Sequence, residues 1–261
     1  MCGIVGYVGS RKAAPILLDG LRRLEYRGYD SAGMAVCGPA GLQVYKTPGR
    51  LSVLAELTAD GAALTGTVGV GHTRWATHGE PNQVNAHPQT SGDGRFAVVH
   101  NGIIENFARL KAQLIQQGYT FRSETDTEVV AQLLSFYYDR CGDVFEAVNS
   151  MLSAVEGAYA LGIVCADTPD RVIAARKDAP LLLGCGQGEN FLASDVTALL
   201  PYTTSAADPW KSPTTTSTGT WPRRKRAAIP TLCSRRSTSS PTRCAGPSPA
   251  ASATAACCSA T

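Results

Sequence analysis

The sequence predicts an α+β fold in which antiparallel sheets are covered by helices. Two observations carry this. Short apolar runs of strand length lie at both ends of the first 205 residues, and amphipathic helical patterns occupy the stretch between them. A third, the Gly38-Pro39-Ala40-Gly41 cluster between two strand-like runs, marks a turn between strands.

Met1-Cys2-Gly3-Ile4-Val5-Gly6 opens the chain and reads as the start of a buried strand. Residues 10–25 follow as a helix with Ile16, Leu17, Leu21 and Leu24 on one face. Pro15 is compatible with that helix only near its first turn. Residues 26–31 form a polar loop, residues 32–36 and 42–46 two strands, and residues 51–57 a short helix. A strand over 67–71 leads into a long loop, 72–88, crowded with side chains that titrate or hydrogen-bond. Residues 96–99 are a buried strand that ends at His100-Asn101-Gly102.

A helix then places Ile104, Phe107, Leu110 and Leu114 on one face, with Gly118 to stop it. Ser123 or Thr125 caps the next helix, whose apolar face is Val129, Val130, Leu133, Leu134 and Tyr137. A third helix spans about 144–155, and strands follow at 159–165, 172–175, 181–184 and 191–193.

The composition changes at residue 206. Of the last 56 residues, 19 are Ser or Thr and seven are Pro, and the only large apolar residues are Trp210, Trp221, Ile229 and Leu232. Such a segment buries too little surface to offset its ordering entropy, so 206–261 is expected to be disordered. It reads as the product of a shifted reading frame in a GC-rich gene. The formal charge of +3 divides the same way, −4 over residues 1–205 and +7 over the tail. Arg223-Arg224-Lys225-Arg226 has no fold around it, so no nucleic-acid partner is expected. No apolar run is long enough to span a bilayer and no leader pattern opens the chain, which predicts a cytoplasmic protein with no membrane partner. Nine Cys without framework spacing do not read as disulfides.

If Met1 is removed, Cys2 carries a thiol and a free α-amine on one carbon. The thiolate is a nucleophile, and an amine of pKa roughly 7.7–8.0 can take the thiol proton near neutral pH. All four His fall between positions 72 and 100, but His72, His78, His87 and His100 match no common zinc spacing and no Cys pair accompanies them. Neither a metal nor another cofactor is expected.

Several stretches, in order from residue 2 to about 204, resemble the glutaminase domain of the glutamine–fructose-6-phosphate aminotransferases. They are Cys2-Gly3-Ile4-Val5-Gly6, residues 21–33 (LRRLEYRGYDSAG), the 72–88 loop, His100-Asn101-Gly102-Ile103-Ile104-Glu105-Asn106, Ser123-Glu124-Thr125-Asp126-Thr127-Glu128 and Gly188-Glu189-Asn190-Phe191. The resemblance implies a four-layer αββα sandwich of the N-terminal-nucleophile type and glutamine as substrate. It implies that Cys2 forms a thioester, with the oxyanion held by the Asn101 amide and the Gly102 N–H. Arg74 would take the glutamine carboxylate and Asp126 its ammonium. Thr77, His78 and His87 would line the pocket, Trp75 would cover it, and Arg27 would orient the terminal amine. Other class II amidotransferases, a stand-alone glutaminase, or an inactive fragment are the alternatives.

The family is homo-oligomeric, and its full chain is more than twice as long, with a sugar-isomerase half that binds fructose 6-phosphate. No phosphate-binding Ser/Thr loops of that half are recognisable here. The last strands of the glutaminase domain, expected after Thr204, also look missing, which would leave the strand in the 190s with an unpaired edge.

Overall fold

The structure is a computed structural model that describes residues 2–75 and 79–203, together with the backbone of 206–207 and 254–259. Strands β1 (Gly3–Val8), β2 (Ser31–Gly38), β3 (Gly41–Pro48) and β4 (Val68–Arg74) belong to a seven-stranded sheet. It is completed by β9 (Leu182–Cys185), β10 (Asn190–Ala193) and β11 (Ala206–Ala207), in the order β11-β9-β10-β1-β4-β2-β3. The second sheet runs β12-β8-β7-β6-β5, from β5 (Gln89–Thr90), β6 (Phe96–Ile104), β7 (Gly157–Cys165), β8 (Arg171–Lys177) and β12 (Thr254–Ser259). Every pairing between these strands is antiparallel.

Period-two alternation gives each sheet two apolar faces, and three cores result. Val5 and Tyr7 of β1 and Met34 and Val36 of β2 pack beneath α1 (Ala13–Arg22) and α2 (Leu51–Leu57), which contribute Leu17, Leu21 and Leu54. Val98 of β6 and Leu161 and Ile163 of β7 pack beneath α3 (Phe107–Gln116), α4 (Asp126–Cys141) and α5 (Val144–Ala154). The opposite faces meet each other through Ile4, Val8, Ala35, Val68, Val70, Ala97, Val99, Ala160, Val172 and Leu192. The layers are therefore helix, sheet, sheet, helix, the order that the family resemblance implies.

The helix ends follow local chemistry. Pro15 sits in the first turn of α1, where a missing N–H costs no bond. Gly142 closes α4 in the left-handed region and returns its N–H to the Tyr138 carbonyl at 2.8 Å. Asp143 caps α5 by accepting from the Glu146 N–H at 2.9 Å. Thr125 occupies the N-cap position of α4 without a side-chain cap bond. Instead the Glu128 carboxylate turns back onto the Arg122 and Ser123 N–H groups.

Four expectations need correction. β4 continues through His72 and Thr73 to Arg74, three residues assigned above to a loop, because all three pair with β1 or β2. β6 runs on to Ile104, so Asn101-Gly102 lies within a strand and Ile104 is not on the following helix. β10 is no edge, since it pairs with β1 on one side and β9 on the other. In the tail, Ala206–Ala207 pairs with β9 and Thr254–Ser259 with β8. Backbone groups on an open edge accept any extended partner, whatever its side chains. The rest of 206–261 lies outside the described residues.

Candidate active site

Alternation places the chemistry on two facing surfaces. In β1, Ile4 and Val8 point into the inter-sheet core, and Cys2 continues that row two residues before Ile4. In β4, Val68 and Val70 share the core, so His72 and Arg74 continue their row. In the opposite sheet the row Ala97, Val99 continues to Asn101. The apolar filling thus gives way to thiol, imidazole, guanidinium and amide. The register Gly3↔Thr73 brings Cys2 alongside the end of β4.

The Trp75 N–H donates to Cys2 Sγ at 3.2 Å, and the thiol lies 3.5 Å from the Trp75 carbonyl. Burial is the largest influence on this thiol and pushes its pKa up, against the Trp75 N–H, the amino-terminal charge and Arg74, which pull it down. The thiol therefore needs a base to become a nucleophile near neutral pH. The Cys2 carbonyl accepts from the Asn101 amide Nδ2 at 3.3 Å and from Arg27 Nη1 at 3.3 Å. Arg27 is held by Asp195 at 3.1 Å, and Asp195 also accepts from the Tyr26 hydroxyl at 2.8 Å. Arg27 thus joins Cys2 to Asp195 through the Cys2 carbonyl.

Asn101 Oδ1 lies 2.9 Å from His72 Nε2. Gly102 has φ +121°, and a Cβ there would stand 2.1 Å from the Ala158 carbonyl oxygen, so only glycine fits. Arg74 is buried and reaches the Gly79 carbonyl through Nη2 at 3.4 Å. Asp126 begins α4 and is also buried; its Oδ2 accepts from the Ile104 N–H at 2.8 Å, and Oδ1 lies 3.9 Å from His100 Nδ1.

Trp75 is 54% exposed, with its ring edge against Gly28, where a Cβ would come within 2.9 Å of the ring. Thr77 and His78 lie outside the described residues. His87 sits deeper than an expected pocket lining, at 5% exposure. Its Nε2 is 2.8 Å from Thr127 Oγ1, and its ring lies 4.5 Å from that of His72. The absent side chain of Gly33 leaves the room that the His87 carbonyl occupies: a Cβ there would be 2.2 Å from it.

Two residues take places that the sequence reading did not give them. The sequence offers His72 as a metal ligand or as a dyad partner of Cys2, and its i, i+2 spacing from Arg74 puts both on one strand face once β4 is extended. Thr127 was quoted only within a motif, yet its hydroxyl sits between His87 and His100, at 2.8 and 2.9 Å. Burial pushes His87 well below the usual imidazole range and His72 down to about 3, so both are neutral. Among the described residues, no group of three or more His, Cys, Asp or Glu could hold a metal ion.

The glutamine amidotransferase domain family matches residues 58–213, more than half of the chain. Two curated relatives, the glutamine–fructose-6-phosphate aminotransferases [isomerizing] of Caldanaerobacter subterraneus subsp. tengcongensis and Thermus thermophilus, are each 59% identical over 203 residues, which is 78% of this chain and 33% of theirs. The chain thus spans about a third of the length of the curated relatives it matches. Among solved structures, the glutamine phosphoribosylpyrophosphate amidotransferase of B. subtilis superposes with a TM-score of 0.66 at 29% identity, covering 77% of this chain and 44% of that one. The chain belongs to the glutamine amidotransferase domain family, and its two-sheet architecture is that of N-terminal-nucleophile amidotransferases.

Proposed function

We propose that this domain hydrolyses the side-chain amide of glutamine and releases ammonia, with Cys2 as nucleophile once Met1 is removed. The Cys2 α-amine takes the thiol proton, and Sγ bonds to the amide carbon. The tetrahedral intermediate collapses by breaking the C–N bond, the amine's proton goes to the leaving nitrogen, and water then cleaves the thioester to glutamate. Asn101 Nδ2 and the Gly102 N–H face the developing oxyanion. Arg74 takes the carboxylate of the substrate and Asp126 its ammonium, Trp75, Thr77 and His78 line the pocket, and His87 supports it from beneath through Thr127. The observation that carries this reading is the 3.3 Å hydrogen bond from Asn101 Nδ2 to the Cys2 carbonyl, which joins the two residues across facing sheets.

In a longer chain that carried the remaining two thirds of its relatives, the ammonia would aminate fructose 6-phosphate, the acceptor those relatives are named for. A cytoplasmic location suits a thiol nucleophile, and the five described cysteines are free. The test is glutamate and ammonia release by the full chain, with the amino terminus sequenced in parallel. Glutamine hydrolysis by Cys2→Ala would refute the mechanism, as would activity in a protein that keeps Met1.

A further inference from the structure

The Asn101 amide must present nitrogen, not oxygen, to an oxyanion. Its two ends differ only in where hydrogen bonds are available, so something has to fix the orientation. On one side the Cys2 carbonyl accepts from Nδ2 at 3.3 Å, a long bond that supplies only part of the preference. On the other, His72 Nε2 stands 2.9 Å from Oδ1. An oxygen can only accept, so this arrangement calls for the His72 tautomer that carries its proton on Nε2. The opposite tautomer would offer a lone pair there and favour the flipped amide, which turns Oδ1 toward the incoming negative charge.

We propose that His72 is a positioning residue for glutamine hydrolysis: its Nε2–H holds the Asn101 amide with Nδ2 turned toward Cys2. This rests on the assignment of Cys2 and Asn101 above. The imidazole is well built for such a role. It has no exposed surface, it sits in β4 opposite Ile4 on one side and Gly33 on the other, and the His87 ring lies 4.5 Å away. Its Nδ1 is buried without a hydrogen-bond partner, so neither ring nitrogen bonds the Cys2 thiol. His72 reaches the reacting atoms only through Asn101, which separates positioning from general-base catalysis.

Two substitutions divide the possibilities. His72→Leu fills the buried volume but cannot donate, whereas His72→Gln keeps an N–H donor. His72→Leu is expected to lower kcat about 10-fold or more with KM little changed, and His72→Gln to recover most of it. In an Asn101→Ala background, His72→Leu should change kcat less than about two-fold, because the bond it breaks is already gone. The pH profile of His72→Gln should keep both limbs. In the full-length wild-type protein, 15N shifts of the His72 imidazole should report the Nε2-protonated tautomer, a measurement that needs no variant to fold. Unchanged kcat in His72→Leu, full additivity with Asn101→Ala, a displaced pH limb, or the Nδ1-protonated tautomer would each overturn the proposal. If the wild type releases no glutamate, or Asn101→Ala is fully active, the active-site reading itself fails and takes this inference with it.

Discussion

Acidification between pH 7.5 and 5 should destabilise this domain through two buried histidines. His72 and His87 are 0% and 5% exposed, and burial is the first cause of the depressed pKa of each, to about 3 for His72 and well below the usual range for His87. In the unfolded chain both return to about 6.5. Between the two values the unfolded state binds more protons than the native one, so stability rises with pH and is lost as pH falls below about 6.5. At pH 5 His72 contributes a loss of about 2 kcal/mol, roughly 1.4 kcal/mol for each pH unit below 6.5, and His87 adds to it in the same direction. That is a sizeable part of the roughly 5–15 kcal/mol that holds a typical domain folded. Urea unfolding at half-unit pH steps measures it directly. His72→Gln removes one titrating group and should reduce the slope. A stability that changes by less than about 1 kcal/mol over this range would show that the imidazoles are not held neutral, and the reasoning about their burial would fail.

Other outcomes follow from the same geometry. Asn101→Ala should reduce kcat by roughly 10²–10³ with little effect on KM, read by steady-state glutamate release. Arg74→Ala should instead raise KM, since it removes ground-state binding of the substrate carboxylate. Gly33→Ala sets a methyl group against the His87 and Tyr45 carbonyls, at 2.2 and 2.8 Å, and should cost roughly 1–3 kcal/mol in chemical denaturation. Deleting residues 206–261 bares the outer edges of β8 and β9 but removes no proposed site residue. Light scattering should show more aggregation while glutamine hydrolysis per folded molecule is retained.

The legible parts of the sequence were those written in period and punctuation. Helix α2 falls on the expected residues 51–57, and the β2–β3 turn sits at Gly38–Gly41, because alternation and glycine placement are local signals. Strand ends near the site were not legible. His72, Thr73 and Arg74 are polar and read as loop, but His72 and Thr73 pair on both sides with β1 and β2 and Arg74 pairs with β2, a tertiary fact that propensity does not carry. The same holds for Asn101-Gly102, whose turn-like composition is overridden by nine paired residues between β6 and β7. Cys2 as a candidate nucleophile was legible from its place beside a free amino terminus, whereas the proposed oxyanion pair and charged substrate contacts are what the motif resemblance implies. Thr127 and the depth of His87 came only from packing.

The proposed nucleophile and oxyanion amide belong to different sheets, Cys2 just before β1 and Asn101 in β6, and what separates them is side-chain volume. Glycines face the gap on both sides: a Cβ on Gly162 would be 3.4 Å from Leu192 and from Val70 of the opposite sheet, and one on Gly6 would be 3.6 Å from Val172. Interior volume is therefore a kinetic variable in this fold. A methylene gained or lost at Val70, Val99 or Leu192 alters the gap across which thiol and amide must cooperate, while the residues that do the chemistry stay unchanged. Neutral drift in the core would be felt first as turnover and only later as melting. A screen for glutamine hydrolysis would then serve as a ruler for how well two sheets are spaced.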